Sequence, residues 1–152
     1  MKRRSFLKGA LSITAGIGLL RSPGSLAAPG PADAFAARSE ESVLRILFGD
    51  ARAIAGEAVR IVAPIQATRG KGTPFKVICD LNGVEMIAVV TGNNRFPLNT
   101  YVSLSGAEGY YSTRIRVERS STVTAYVKAG GDLYSASTHI KVNRGGYGMH
   151  FE

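Results

Sequence analysis

The chain has one cysteine, Cys79, no tryptophan, and two histidines, His139 and His150, among 152 residues. A single thiol cannot close an internal disulfide, so the fold must stand on its hydrophobic core. There is no Cys-x-x-Cys and no His-Glu-x-x-His, and no Gly-x-Ser-x-Gly or phosphate loop is present. The carboxylates Asp80, Glu85, Glu108 and Glu118 are scattered, and no two pair at catalytic spacing. With these motifs missing, the chain reads as a binding or carrier module rather than an enzyme, with no cofactor expected.

Long apolar runs are also missing. The longest, Leu11 to Leu20, is half the length of the about 20 residues that a membrane span requires. It follows Lys2, Arg3, Arg4 and Lys8 and precedes the small-x-small pattern Ser25-Leu26-Ala27, the order of an export signal. The run Arg3-Arg4-Ser5-Phe6-Leu7-Lys8 looks like a twin-arginine signal, an address for chains exported already folded. Cleavage after Ala27 is expected, giving a periplasmic chain without stable membrane insertion. The net charge of +8 then falls to +3, because five of the 19 basic residues lie before residue 28 while all 11 acidic ones lie after it. No dense basic patch is visible, so nothing asks for a nucleic-acid partner.

The predicted organisation is a signal over residues 1–27, a linker over 28–35, a domain over 36–144, and a flexible arm over 145–152. Phe35, Val43, Leu44, Leu47 and Phe48 fit an apolar helical stripe. One amphipathic helix is predicted from about Ala36 to Phe48, with Ser39 or Ser42 as cap and Gly49 as its stop. From Ala58 the period changes to two. Val59, Ile61 and Ala63 oppose Arg60 and Val62. Phe75, Val77 and Cys79 oppose Lys76 and Asp80. Thr113, Ile115 and Val117 oppose Arg114, Arg116 and Glu118. Val123, Ala125 and Val127 oppose Thr122, Thr124 and Tyr126. Seven strands result, with tight turns at Asn82-Gly83 and Gly130-Gly131 and a longer one around Pro97. Strands with one polar face bury the other by packing two antiparallel sheets together. The predicted fold class is all-β, an immunoglobulin-like antiparallel β-sandwich with one N-terminal helix.

Cys79 is in phase with Phe75 and Val77 and reads as a small buried hydrophobe. His139 reads as a surface residue on the last strand. His150 with Met149 and Glu152 makes a poor copper site, since three ligands on a tail lack a scaffold. Tyr101, Tyr110, Tyr111, Tyr126, Tyr134 and Tyr147 suit either interfaces or cross-strand packing. The arm is the most distinctive stretch: Gly145, Gly146 and Gly148 bracket Tyr147, and Phe151 adds apolar area. Glycines at these places free the backbone and remove bulk, so the arm can enter a narrow cleft and present residue 147.

This layout resembles the SoxY family, the carrier subunit of a periplasmic sulfur-oxidising system. The likeness covers essentially the whole chain. It rests on the twin-arginine signal, Leu47-Phe48-Gly49, Ile61-Val62-Ala63-Pro64, Phe96-Pro97-Leu98, Ser112-Thr113-Arg114, and Lys141-Val142 followed by Gly145-Gly146. The resemblance implies an immunoglobulin-like subunit paired with a small β subunit, SoxZ. It also implies an arm whose cysteine holds thiosulfate-derived sulfur and presents it to periplasmic enzymes. Here Tyr147 stands at that cysteine's place, Met149 replaces the last glycine, and His150, Phe151 and Glu152 follow. A phenol does not form persulfides or thiosulfonates, so covalent carriage at residue 147 is chemically excluded. Two expectations remain. The chain is a SoxY-like scaffold or regulatory subunit. Alternatively, sulfur is carried on a different thiol, Cys79 or one on the partner, or the chain is an inactive variant of a working carrier.

Overall fold

The computed structural model describes residues 30–106 and 108–143. Two short helices come first, α1 (Pro31–Ala36) and α2 (Glu40–Phe48). Nine strands follow: β1 (Ala53–Ala55), β2 (Val59–Val62), β3 (Gln66–Thr68), β4 (Thr73–Cys79), β5 (Val84–Thr91), β6 (Leu98–Ser103), β7 (Tyr110–Ile115), β8 (Ser121–Ala129) and β9 (Asp132–Asn143). The larger sheet runs β1-β9-β8-β5-β6, with β3 also on β9; the smaller runs β2-β4-β7. Their facing sides enclose one core of Phe75, Val77, Cys79, Ile87, Val89, Ile115, Val123, Val127 and Ile140 among others. The immunoglobulin-like sandwich is thus the observed fold.

The alternation read from the sequence sets the inner faces. Burial along β4 is strictly periodic from Thr73 to Val77, with Pro74 and Lys76 outward. The Gly130-Gly131 pair closes β8 onto β9 with Ala129 opposite Asp132, and both glycines take the positive φ (58° and 89°) that such a two-residue hairpin demands. Tyr111 of β7 and Thr100 of β6 share a 2.6 Å hydrogen bond between their hydroxyls, tying the two sheets together at one side.

Three expectations need correction. First, residues 31–35 are not a bare linker. Pro31 sits at the start of α1, where its fixed φ suits a helix, and the Gly30 N–H donates to Asp33 Oδ2 at 2.8 Å. Second, the single helix from Ala36 is two helices. Ala37 is extended, and Ser39 then caps α2 by accepting from the Ser42 N–H at 3.2 Å. Phe35, placed in the stripe by spacing, is 43% exposed, while Ala34 is fully buried. Third, the strands among the described residues number nine and are not all antiparallel. β1 and β3 lie parallel to β9, at its two ends.

The helices also alter the larger sheet. They cover its outer face, so Tyr126 and Thr124, expected on a polar side, are 8% exposed each. A second core joins Ala34 and Val43 to Ala88, Val90, Leu98, Tyr126 and Leu133. Sheet strands covered on both faces lose their alternation, and Ile87 to Val90 are indeed buried without a break.

Candidate functional site

The strand that leads toward the arm is paired on both of its edges. β9 pairs with β8 along most of its length and with β1 and β3 on its other edge. Its end is pinned at three further points. The Asn143 side chain donates to Gln66 Oε1 at 3.1 Å, the Arg69 N–H donates to the Asn143 carbonyl at 3.4 Å, and the Val142 N–H donates to Ser120 Oγ at 2.9 Å. Gly145, Gly146, Tyr147, Gly148, His150 and Phe151 lie outside the described residues, as does the export signal over 1–27.

Cys79 is the last residue of β4. Its N–H donates to the Gly109 carbonyl at 2.7 Å, and its side chain is 6% exposed within the inter-sheet core. Burial pushes the thiol up from its ordinary 9.0. The Leu81 backbone hydrogen bond opposes this, and the neighbouring Asp80 carboxylate adds to it. Burial thus disfavours the thiolate, the reactive form of the group. It also borders an open surface cleft of about 460 Å³ whose rim includes Asn82, Gly83 and Glu108. Gly109 packs so tightly here that a Cβ would overlap the Cys79 carbonyl oxygen and Sγ. The structure does not bring Cys79 to the root of the arm. The chain passes from β3, beside Asn143, into the Thr73 end of β4, and Cys79 lies six residues further along at the opposite end, about 20 Å away for an extended strand.

The tyrosines divide. Tyr126 is buried and donates to Glu40 Oε1 at 2.7 Å, with the Phe48 ring 6.2 Å away. Tyr111 is half-buried and bonded to Thr100, and Tyr101 and Tyr134 pack against the cores. Among the described tyrosines Tyr110 is the exposed one, at 53%, on the edge strand β7. His139 is exposed. Among the described residues no three His, Cys, Asp or Glu side chains converge as metal ligands, and no helix is long and apolar enough to cross a membrane.

Sequence reasoning missed one feature. Arg69, Arg95, Arg116 and Arg119, spread over fifty positions, converge on two adjoining clefts of about 410 and 600 Å³ next to the end of β9. The spacing of arginine in Arg114-Ile115-Arg116-Val117-Glu118-Arg119 was the available signal, but nothing local linked it to Arg69 or Arg95.

The chain was compared with known proteins. No curated protein matches it. Among solved structures, the sulfur carrier protein SoxY from Chlorobium limicola f thiosulfatophilum superposes with a TM-score of 0.61 at 27% identity, covering 68% of this chain and 94% of that one. A superoxide reductase (neelaredoxin) from Ignicoccus hospitalis gives a TM-score of 0.51 at 16% identity, over 57% of this chain and 81% of that one, a likeness of fold alone. The profile described as sulfur oxidation protein SoxY matches residues 44–146, from within α2 through all nine strands to the first two glycines of the arm. The inter-sheet core, the strands and Gly145-Gly146 thus fall inside one match, and the chain belongs to the SoxY family of sulfur-oxidation proteins.

Proposed function

We propose that this SoxY-family chain is a non-covalent subunit of a periplasmic sulfur-oxidation complex. It pairs with a SoxZ-like β subunit, performs no reaction of its own, and offers the arm over 145–152 to sulfur-oxidising enzymes as a recognition element. It acts as scaffold or regulator, or competes with a cysteine-bearing carrier for the same clefts. One observation carries this reading. Tyr147 occupies the place where the resemblance puts the carrier cysteine, and Cys79, the sole thiol of the chain, is buried at the far end of β4. A family built to carry sulfur here retains its fold and the glycines of its arm without a cysteine among them.

Native mass spectrometry of the protein purified from the periplasm tests it. The expected result is a complex of about equal stoichiometry with a small β subunit, with no added sulfur mass on this chain. A lone chain bearing sulfur, or sulfur mapped to Cys79, would overturn it. The role of the arm is tested separately by deleting residues 145–152. Affinity for the partner enzymes should then fall while pairing with the β subunit persists. Unchanged enzyme affinity would remove the arm from the recognition surface.

A further inference from the structure

The fold assembles a focus of positive charge that the sequence does not display. Arg69 follows β3, Arg95 lies in the β5–β6 loop, and Arg116 and Arg119 lie in the segment after β7. Arg69, Arg95 and Arg116 line one cleft with Gly70, and Arg69 and Arg119 line the next with Asn93 and Ser120. Glu118 is shared by both and, among the described residues, is the sole carboxylate in either. The ion pairs among the described residues are Arg45–Glu41, Arg60–Asp80 and Lys128–Glu85, none of which engages these four arginines. The Arg95 guanidinium stands over the Phe96 ring, 5.5 Å from its centroid, and keeps its full charge there. Four guanidinium groups against one carboxylate on concave walls concentrate positive potential.

The backbone that bears these side chains is fixed. Asn94, 9% exposed, donates to the Arg116 carbonyl at 2.7 Å and accepts from the Glu118 N–H at 3.0 Å. Asn99 accepts from the Arg116 N–H at 3.0 Å, and the Asn93 side chain donates to the Ser120 carbonyl at 2.9 Å. The two arginine-bearing segments are therefore stapled together on both sides of Arg95 and Arg116. Gly70, at φ +80°, turns the third segment back toward β4 just after Arg69.

We propose that this cleft binds a small tetrahedral oxoanion of the sulfate and thiosulfate class, with Arg69, Arg95 and Arg116 as its ligands and Arg119 on the adjoining wall. Guanidinium forks match paired oxygens of such an anion, and their convergence from three segments on a cleft of small-molecule size favours it over a flat acidic protein face. The Glu118 carboxylate, which accepts from the Arg95 N–H at 3.5 Å, repels an anion in the cleft and weakens its binding. The site adjoins Val142 and Asn143, so a bound anion would sit beside the root of the arm. The inference stands whether or not any residue of this chain carries sulfur.

The test titrates the purified full chain with sulfate and with thiosulfate, at constant ionic strength against chloride, and follows the backbone amides of Gly70, Arg95 and Arg119 by NMR. Saturable shifts are expected. The double variant Arg69→Gln/Arg116→Gln should bind at least about tenfold more weakly, and Glu118→Gln should bind more tightly. These side chains are at the surface, so the variants should melt as the parent does. A peptide bearing S-sulfocysteine separates two sources of the same chemistry. Tighter binding of the peptide identifies a sulfonate delivered on another chain, and equal binding identifies the free ion; either outcome upholds the site. Linear shifts, shifts reproduced by chloride, a double variant that titrates like the parent, or binding confined to acidic peptides would each overturn it.

Discussion

At the scale of single residues, Gly109 is a position where the side chain must be absent. A Cβ there would overlap both the carbonyl oxygen and Sγ of Cys79. Gly109→Ala should lower stability by about 1–3 kcal/mol, read by urea unfolding. Adding Cys79→Ala should restore part of the loss, since Sγ leaves but the carbonyl stays; full additivity would show that the two sites do not touch. Tyr126 offers a pH test. Burial first, then its hydrogen bond to the Glu40 carboxylate, raises its phenol above the ordinary 10.0. The fold thus favours the neutral phenol, and this stability is complete below 10 and is lost as pH rises beyond it through the raised value. Tyr126→Phe should cost about 1 kcal/mol near neutrality and should flatten the alkaline decline. Cys79 adds a parallel loss beginning near 9.0, for the same reason.

At the scale of elements, the helical region shows what local pattern does and does not convey. The apolar positions Val43, Leu44, Leu47 and Phe48 and the stop at Gly49 were legible, because helical spacing and a glycine with φ +64° are local facts. The break between α1 and α2 was not, because Ala37 has no breaker chemistry. It is extended because Ala34 and Val43 must reach the same sheet surface from two directions. Ser39 is the hinge of this arrangement, as it caps α2. Ser39→Ala should lower stability by about 1 kcal/mol in thermal or urea unfolding, and Ser39→Asp should keep it near the parent. The short strands β1 and β3 were likewise missed. Three residues are too few to show a period, and only the free edge of β9 makes them strands.

At the scale of the whole molecule, the two cores and the sheet pairings of the described residues span residues 34–143. An arm that serves recognition alone adds nothing to them, so removing residues 145–152 should leave the melting temperature unchanged within about a degree or two, a far smaller shift than a lost core contact gives. Thiol labelling tests the same closure. Cys79 should resist reagent in the native protein and react fully once the chain is denatured. Rapid native labelling would mean that the 460 Å³ cleft opens onto the thiol and that the two sheets part at that end.

The sequence by itself determined which face of β2, β4, β7 and β8 points to the inter-sheet core, that Gly130-Gly131 turns β8 back onto β9, and that Cys79 is interior; Asn82-Gly83, expected as a second such turn, instead crosses from β4 in one sheet to β5 in the other. The core-facing sides, the Gly130-Gly131 turn and the interior Cys79 follow from a period of two residues and from glycine placement, both written locally in the chain. It also determined the chemistry at residue 147, because phenol and thiol differ whatever surrounds them. Only the tertiary structure decided that the larger sheet is covered on both sides, that Tyr126 is buried against Glu40, and that Cys79 and the arm root occupy opposite ends of β4. It alone gathered Arg69, Arg95, Arg116 and Arg119 around Glu118. Those outcomes depend on which distant segments meet, and burial and electrostatic focusing are properties of the assembled surface, not of any stretch of chain.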